Sequence, residues 1–278
     1  GNASNGGAGG LRTSGGATNL VNVTISNNTA AGNSGGGGIG MFGGTLNVAD
    51  SSISGNSTTG TGDSAGGGGG IAVNSFATIS GVSLLRSTVS ANRTTATANA
   101  DGGGIYVHIS GATVTLVDST VSGNSAGDAV GGGIAVAQGA LMADWDTIAN
   151  NTGSGASAAA GTTVQLNGTL ISGSNGGANC TGGISDIGYN LDSGASCAFS
   201  AANHSLSNAN ANLAELADNG GPSTPHTLTH ALNPGSPAID AAGTSSNGCP
   251  STDQRAISRP QGPACDLSLI HISEPTRQ

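Results

Sequence analysis

The sequence predicts an all-β chain wound as a parallel β-helix. Three observations carry this: two motifs that recur about every 30 residues, short apolar runs that alternate with period two, and punctuation by Gly, Ser and Asn between the runs. The first motif is three glycines and an aliphatic residue. It places Ile39, Ile71, Ile105 and Ile134 after Gly36–Gly38, Gly68–Gly70, Gly102–Gly104 and Gly131–Gly133. The second is an aliphatic residue, two residues and an Asn. It reads "ISNN", "ISGN", "VSAN", "VSGN" and "IANN", ending on or containing Asn28, Asn56, Asn92, Asn124 and Asn151, with a degenerate "ISGS" at Ile171–Ser174.

Between the motifs the spacing suits strands. In one period Ile105, Val107 and Ile109 form one alternating run, Val114 and Leu116 another, and Val121 marks a third before a turn at Gly123–Asn124. No run is long enough for an amphipathic helix. Three short strands per period make one coil, and strands of successive coils pair about 4.8 Å apart. The glycines are expected at the corner where each coil enters its first strand, because a tight corner needs positive backbone angles and no side-chain crowding. Each following Ile is expected to point inward and stack, contributing about 1.5–3 kcal/mol by burial. A nucleotide loop is the competing reading of "GGGI", and it lacks the Lys-Ser/Thr ending and the helix it would open. The five Asn are expected to stack at a second corner and satisfy backbone groups there. A row of exposed amides binding glycan is the alternative.

Composition agrees with a thin, regular core. The 278 residues include 51 Gly, 2% aromatics and 8% charged residues. The net charge is −9, and every basic residue is Arg. Nucleic-acid binding and adsorption to an anionic membrane both need cationic surface that this chain lacks. No stretch approaches the ~20 apolar residues that span a bilayer. The opening "GNASNGGAGG" has no signal pattern and reads as the middle of a longer protein.

The paired motifs, over roughly Ala17 to Ser174, resemble the repeats of chlamydial polymorphic outer-membrane proteins and other bacterial right-handed β-helix proteins. Three further strings, Asn179–Cys197, Leu216–Gly243 and Cys249–Asp266, are similar to the C-terminal part of choice-of-anchor Q domain proteins. The resemblance implies an all-β, right-handed parallel β-helix with a loop-rich, disulfide-containing C-terminal cap. It implies secretion and display on a bacterial cell surface, and supplies no enzymatic activity. The expected organisation is β-helix coils over 1–175, closing coils and cap over 176–266, and a non-native tail over 267–278. In that tail "LSLIHISEPTRQ" resembles a translated sequencing adapter and replaces the family's closing motif.

In a secreted context Cys180 pairs with Cys197 and Cys249 with Cys265, each closing a short loop; the spacing matches no metal site. The "PGSPAID" segment reads as a loop wrapping the last coil, and "LAELA" at Leu213–Ala217 as a single helical turn within the cap. Caps are required because end coils expose an apolar cross-section.

Candidate chemistry is sparse. Three residues before the aliphatic of each Asn motif lie Asn22, Asp50, Arg86, Asp118 and Trp145. In register, Asp50, Arg86 and Asp118 form a charge ladder on the solvent face; a sugar-binding or lyase groove is the sharper reading of the same row. Asp144, Trp145 and Asp146 are a candidate glycan contact, although strand alternation puts Trp145 on the face opposite the two acids. His108 is expected to face solvent. The other histidines form no ligand cluster, and no cofactor or metal site is expected. The preferred function is a monomeric, secreted or surface-displayed structural or adhesin-like protein whose side walls bind polysaccharide, host or matrix ligands. The alternative is a polysaccharide-active enzyme of the pectate-lyase-like type.

Overall fold

The computed structural model describes residues 1–267 apart from 32–34, 60–66, 75–78, 96–101, 128–130, 223 and 244–248. The chain coils as an all-β, right-handed parallel β-helix. One coil shows the plan. Strand Ile105–Val117 runs along the first side and Thr120–Ser122 along the second, and Ser125 bridges to its neighbours on the third. The two runs expected before Val117 are joined in a single strand. Its pairing register shifts between Val107 and Thr113, around Ser110–Gly111.

Three parallel walls result. The long wall has twelve strands among the described residues, including Gly44–Ala49, Ile79–Leu85, Ile134–Asp144 and Thr163–Asn167. The flank has eight, from Thr24–Ser26 to Leu206–Ser207, and a narrow wall of four starts at Ala3–Ser4. Identical positions pair from coil to coil, so inward side chains stack in rows. One row runs Leu11, Ile39, Ile71, Ile105, Ile134, Ala156, Cys180. Another runs Leu20, Val48, Leu84, Leu116, Ala143, Leu166, and a third Ile25, Ile53, Val89, Val121, Ile148, Ile171. From Ile39, Val48 and Ile53 onward these rows are buried in one continuous core. Small branched residues fit because facing walls are close.

The glycines differ from expectation in one respect. Within Gly36–Gly38, Gly68–Gly70 and Gly102–Gly104 no residue has a positive φ, while Gly131 in the fourth run does, at 60°. Crowding explains the first three runs. A Cβ on Gly70 would lie 2.7 Å from the Gly104 carbonyl oxygen and 3.0 Å from the Asn92 amide nitrogen. Gly38, Gly104 and Gly133 meet Asn56, Asn124 and Asn151 in the same way. The two sequence motifs therefore face each other across the narrow coil.

The positive angles sit at the corners. Asn22, Asp50, Arg86, Asp118, Trp145, Gly168, Tyr189 and His204 are all left-handed, with φ from 46° to 62°. They occupy one corner of eight successive coils. At the next corner Asn27, Gly55, Ala91, Gly123, Asn150 and Gly173 repeat the pattern. Asn, Asp and Gly take this conformation readily, while Arg, Trp and Ala are held there at a cost of about 1–2 kcal/mol each. The inter-coil ladder enforces it: Arg86 N donates to Val117 O at 3.0 Å and Trp145 N to Asn167 O at 2.8 Å.

Both disulfides form, Cys180–Cys197 and Cys249–Cys265. Cys180, Cys197 and Phe199 join the main core and cover its C-terminal end. The C-terminal segment has a different course from a simple end cap. Leu213–Ala217 is a strand, correcting the helical turn; it pairs antiparallel with Thr229–Leu232, whose backbone ladder outweighs the helix propensity of Leu, Ala and Glu. That hairpin lies along the flank. Thr88 Oγ1 donates to Leu228 O (2.7 Å), Thr120 Oγ1 to Gln254 Oε1 (2.7 Å), and Ser122 Oγ meets His230 Nε2 (2.8 Å). A second core gathers Trp145, Leu170, Leu191, Leu232, Ala238 and the Cys249–Cys265 pair. Leu267 is buried in it, and its N–H donates to Ala238 O at 2.8 Å. The remainder of the expected tail, 268–278, lies outside the described residues.

Candidate functional site

The second corner carries a ladder of buried amides. Asn28 Nδ2 donates to Asn56 Oδ1, Asn56 to Asn92, Asn92 to Asn124, and Asn124 to Asn151, all at 2.9–3.0 Å. Each Oδ1 also accepts the backbone N–H of the preceding Asn. Each Nδ2 from Asn56 onward reaches the carbonyl of the preceding coil's aliphatic residue, as Asn92 does to Ile53 O at 2.8 Å. The side chains are at most 6% exposed. They hold the corner together and have no face for a ligand. Where Ser174 replaces Asn, Asn179 supplies the amide instead, accepting from Ser174 N at 3.0 Å.

The first corner has its own ladder, which the sequence reading missed. Val23 N donates to Ser51 Oγ, Ser51 N to Ser87 Oγ, Ser87 N to Ser119 Oγ, and Ser119 N to Asp146 Oδ1 at 2.7 Å. Asn190 Oδ1 serves Thr169 N one step on. The signal was present: from Asp50 onward a Ser, Thr, Asp or Asn directly follows each left-handed residue of this corner.

The predicted charge ladder divides. Arg86 grips Asp50 with both Nε and Nη2, at 2.7 and 2.8 Å, and the pair is partly exposed. This pairing raises the Arg86 pKa further. Asp118 does not continue a solvent-facing row. It is 5% exposed and faces Arg259 and Asp253 of the C-terminal segment. Burial pushes its carboxyl up to about 7, against attraction from Arg259 and Arg86. The C-terminal segment covers this part of the corner, which no local pattern reveals.

The Asp144–Trp145–Asp146 glycan contact is likewise corrected. The strand ends at Asp144, and Trp145 turns in the left-handed corner, so strand alternation stops applying. Trp145 is 4% exposed within the second core. Its ring lies across Gly168, where a Cβ would come within 2.6 Å. Asp146 is fully buried, and burial raises its pKa well above the ordinary carboxylate value. Asp144 alone remains accessible, accepting from Asn167 Nδ2 at 3.1 Å. His108 is half-buried and stacks on the buried Tyr106, centroids 5.4 Å apart.

The outer face of the long wall is open. Its central row runs Asn19, Asn47, Ser83, Thr115, Met142, Gln165, Ser185. Each of these is exposed or half-exposed, and Asn47 Nδ2 donates to Asn19 Oδ1 at 2.8 Å. None carries charge. Among the described residues no group of three or more His, Cys, Asp or Glu side chains is placed to hold a metal ion, and no helix is long and apolar enough to cross a membrane. A family model described as a right-handed β-helix region matches residues 1–143. No curated protein and no solved structure matches the chain.

Proposed function

Because the chain belongs to the right-handed β-helix family, we propose that it is a secreted or surface-displayed structural protein of the adhesin-like kind, binding extracellular or glycan ligands through a side wall. Members with this fold serve as structural or surface proteins or act on polysaccharides. Two disulfides fit an oxidising, non-cytoplasmic environment. The resemblance of the three C-terminal strings to choice-of-anchor Q domains supports bacterial surface display.

The observation that carries the reading is the uncharged central row on the outer face of the long wall. Asn, Ser, Thr and Gln, with Met142 among them, stand there with strand spacing of about 4.8 Å. The rigid coil stack pre-orders them, so a ligand pays little ordering cost. Such a face suits a neutral polymer with regularly spaced hydroxyls. The enzyme reading has less behind it. Its carboxylates of unusual affinity for protons are closed off: Asp118 faces the chain's own C-terminal segment, and Asp146 is buried within the coil stack against Ser119.

A panel of neutral and acidic polysaccharides tests both readings with the monomeric chain. Retention of a neutral polymer without cleavage is expected, and Asn47→Arg with Thr115→Arg should weaken it at least tenfold. Released oligosaccharides would move the assignment to the enzyme. Retention unaffected by the two substitutions would move the binding surface off the long wall.

A further inference from the structure

The flank changes character along its outer row: Thr24, Ser52, Thr88, Thr120, Thr147, then Leu170, Leu191 and Leu206. The first two are open to solvent to differing degrees, and the next five, from Thr88 to Leu191, are fully buried by the C-terminal segment. The contact thus has a polar part, made by Leu228, His230 and Gln254, and an apolar part around Trp145 and the three Leu.

Asp118 sits at this contact. Its Oδ1 accepts no hydrogen bond. Arg259 and Asp253 face it from the C-terminal segment, Arg86 from the preceding coil, and Asp144 and Asp146 from the following one. Two of these neighbours are committed elsewhere: Asp253 to Arg255 at 2.6 Å and Arg86 to Asp50 at 2.7 Å. Arg259 also lies over the Trp145 ring, 5.8 Å from its centroid. A charged carboxylate here would be desolvated with an oxygen left unpaired, whereas a protonated one avoids most of that cost.

We propose that the C-terminal segment is a proton-coupled strap: docking it on the flank takes up a proton at Asp118, so it is held tightest at mildly acidic pH and loosens towards neutral. Docked, the carboxyl titrates at about 7; released into water it returns towards its ordinary 3.8. Between these values the docked state binds a proton that the released state does not. Docking therefore weakens by up to about tenfold per pH unit as pH rises through this window, and levels off above it. His230 works in the opposite direction. Its Nδ1–H donates to Ala214 O and its Nε2 accepts from Ser122 Oγ, and burial lowers its pKa despite the nearby Glu215. It weakens docking as pH falls below about 6.5. The signs are opposite, so the two groups are separable.

Trp145 is the chain's single Trp and reports the contact directly. Its emission is followed through urea titrations at pH 5, 6, 7 and 8. The midpoint should fall from pH 5 to 7 and change little by pH 8. Asp118→Asn, which keeps shape and tolerates the left-handed angle, should flatten this dependence and raise the midpoint at pH 7. His230→Gln should steepen it. A wild-type midpoint that stays constant or rises with pH overturns the proposal, as does an Asp118→Asn protein that keeps the wild-type slope. Hydrogen exchange of the Ala231 and Leu232 amides in the wild type gives the same answer without a substitution: protection should decline from pH 5 to 7 after correction for intrinsic rates, and constant protection overturns it.

Discussion

Residue by residue, the chain is held by side chains that do the work of backbone. Asn92 shows this best. Its Oδ1 takes the N–H and the Nδ2 of Asn56, and its own Nδ2 reaches Ile53 O and Asn124 Oδ1. Four buried partners lose an interaction if the amide goes, and an orphaned buried group costs about 1–3 kcal/mol. Asn92→Ala should therefore destabilise by about 3 kcal/mol or more, read as a lower urea midpoint in far-ultraviolet circular dichroism. A loss below ~1 kcal/mol would mean that water replaces the ladder. The Asn motif was legible because a buried corner repeated in register tolerates few residues. The parallel Ser51–Ser87–Ser119–Asp146 ladder was less legible, because Ser is common throughout this sequence and Asp146 breaks the residue type.

At the scale of the element, strand and corner define each other. The period-two runs place Val48, Leu84 and Leu116 inward and Asn47, Ser83 and Thr115 outward, and alternation alone reads that. The glycine runs were located correctly, but mostly for half of the stated reason: crowding against the next coil and the Asn ladder keeps side chains out, and a left-handed angle is needed only at Gly131. Gly70→Ala should lower stability by about 1–3 kcal/mol, since the new methyl meets the Gly104 carbonyl and the Asn92 amide. Gly183→Ala, with nothing within 4 Å of the added carbon, should stay within about 0.5 kcal/mol of wild type. Equal effects in thermal unfolding would refute the packing account.

At the scale of the whole molecule, an inward row ends at Cys180, which stands in register with Ala156, and its disulfide to Cys197 closes the row beneath Phe199. Cys180→Ser with Cys197→Ser should remove about 3 kcal/mol, the order expected for a loop of 17 residues. The observable is a lower melting temperature under oxidising conditions; an unchanged melting temperature would assign the seal to packing alone. Along the flank, the C-terminal segment converts one wall into an interior contact and leaves the long wall open.

By itself the sequence determined the coil, because in a solenoid every coil makes the same contacts and so imposes the same residue pattern. Ile39, Ile71, Ile105 and Ile134 stack because each sits in the same place one coil later. It determined the cysteine pairs as well, through short separation and resemblance. Only the tertiary structure decided the fate of Asp118 and Trp145. Their burial comes from residues of the C-terminal segment such as Arg259, more than a hundred positions away, which fold back along the flank. Such a contact occurs once, leaves no period, and is marked only by the change from Thr147 to Leu170, Leu191 and Leu206 on the outer row. Repetition writes a fold into sequence many times over, whereas a single long-range contact is fixed by shape and charge complementarity that no local pattern records.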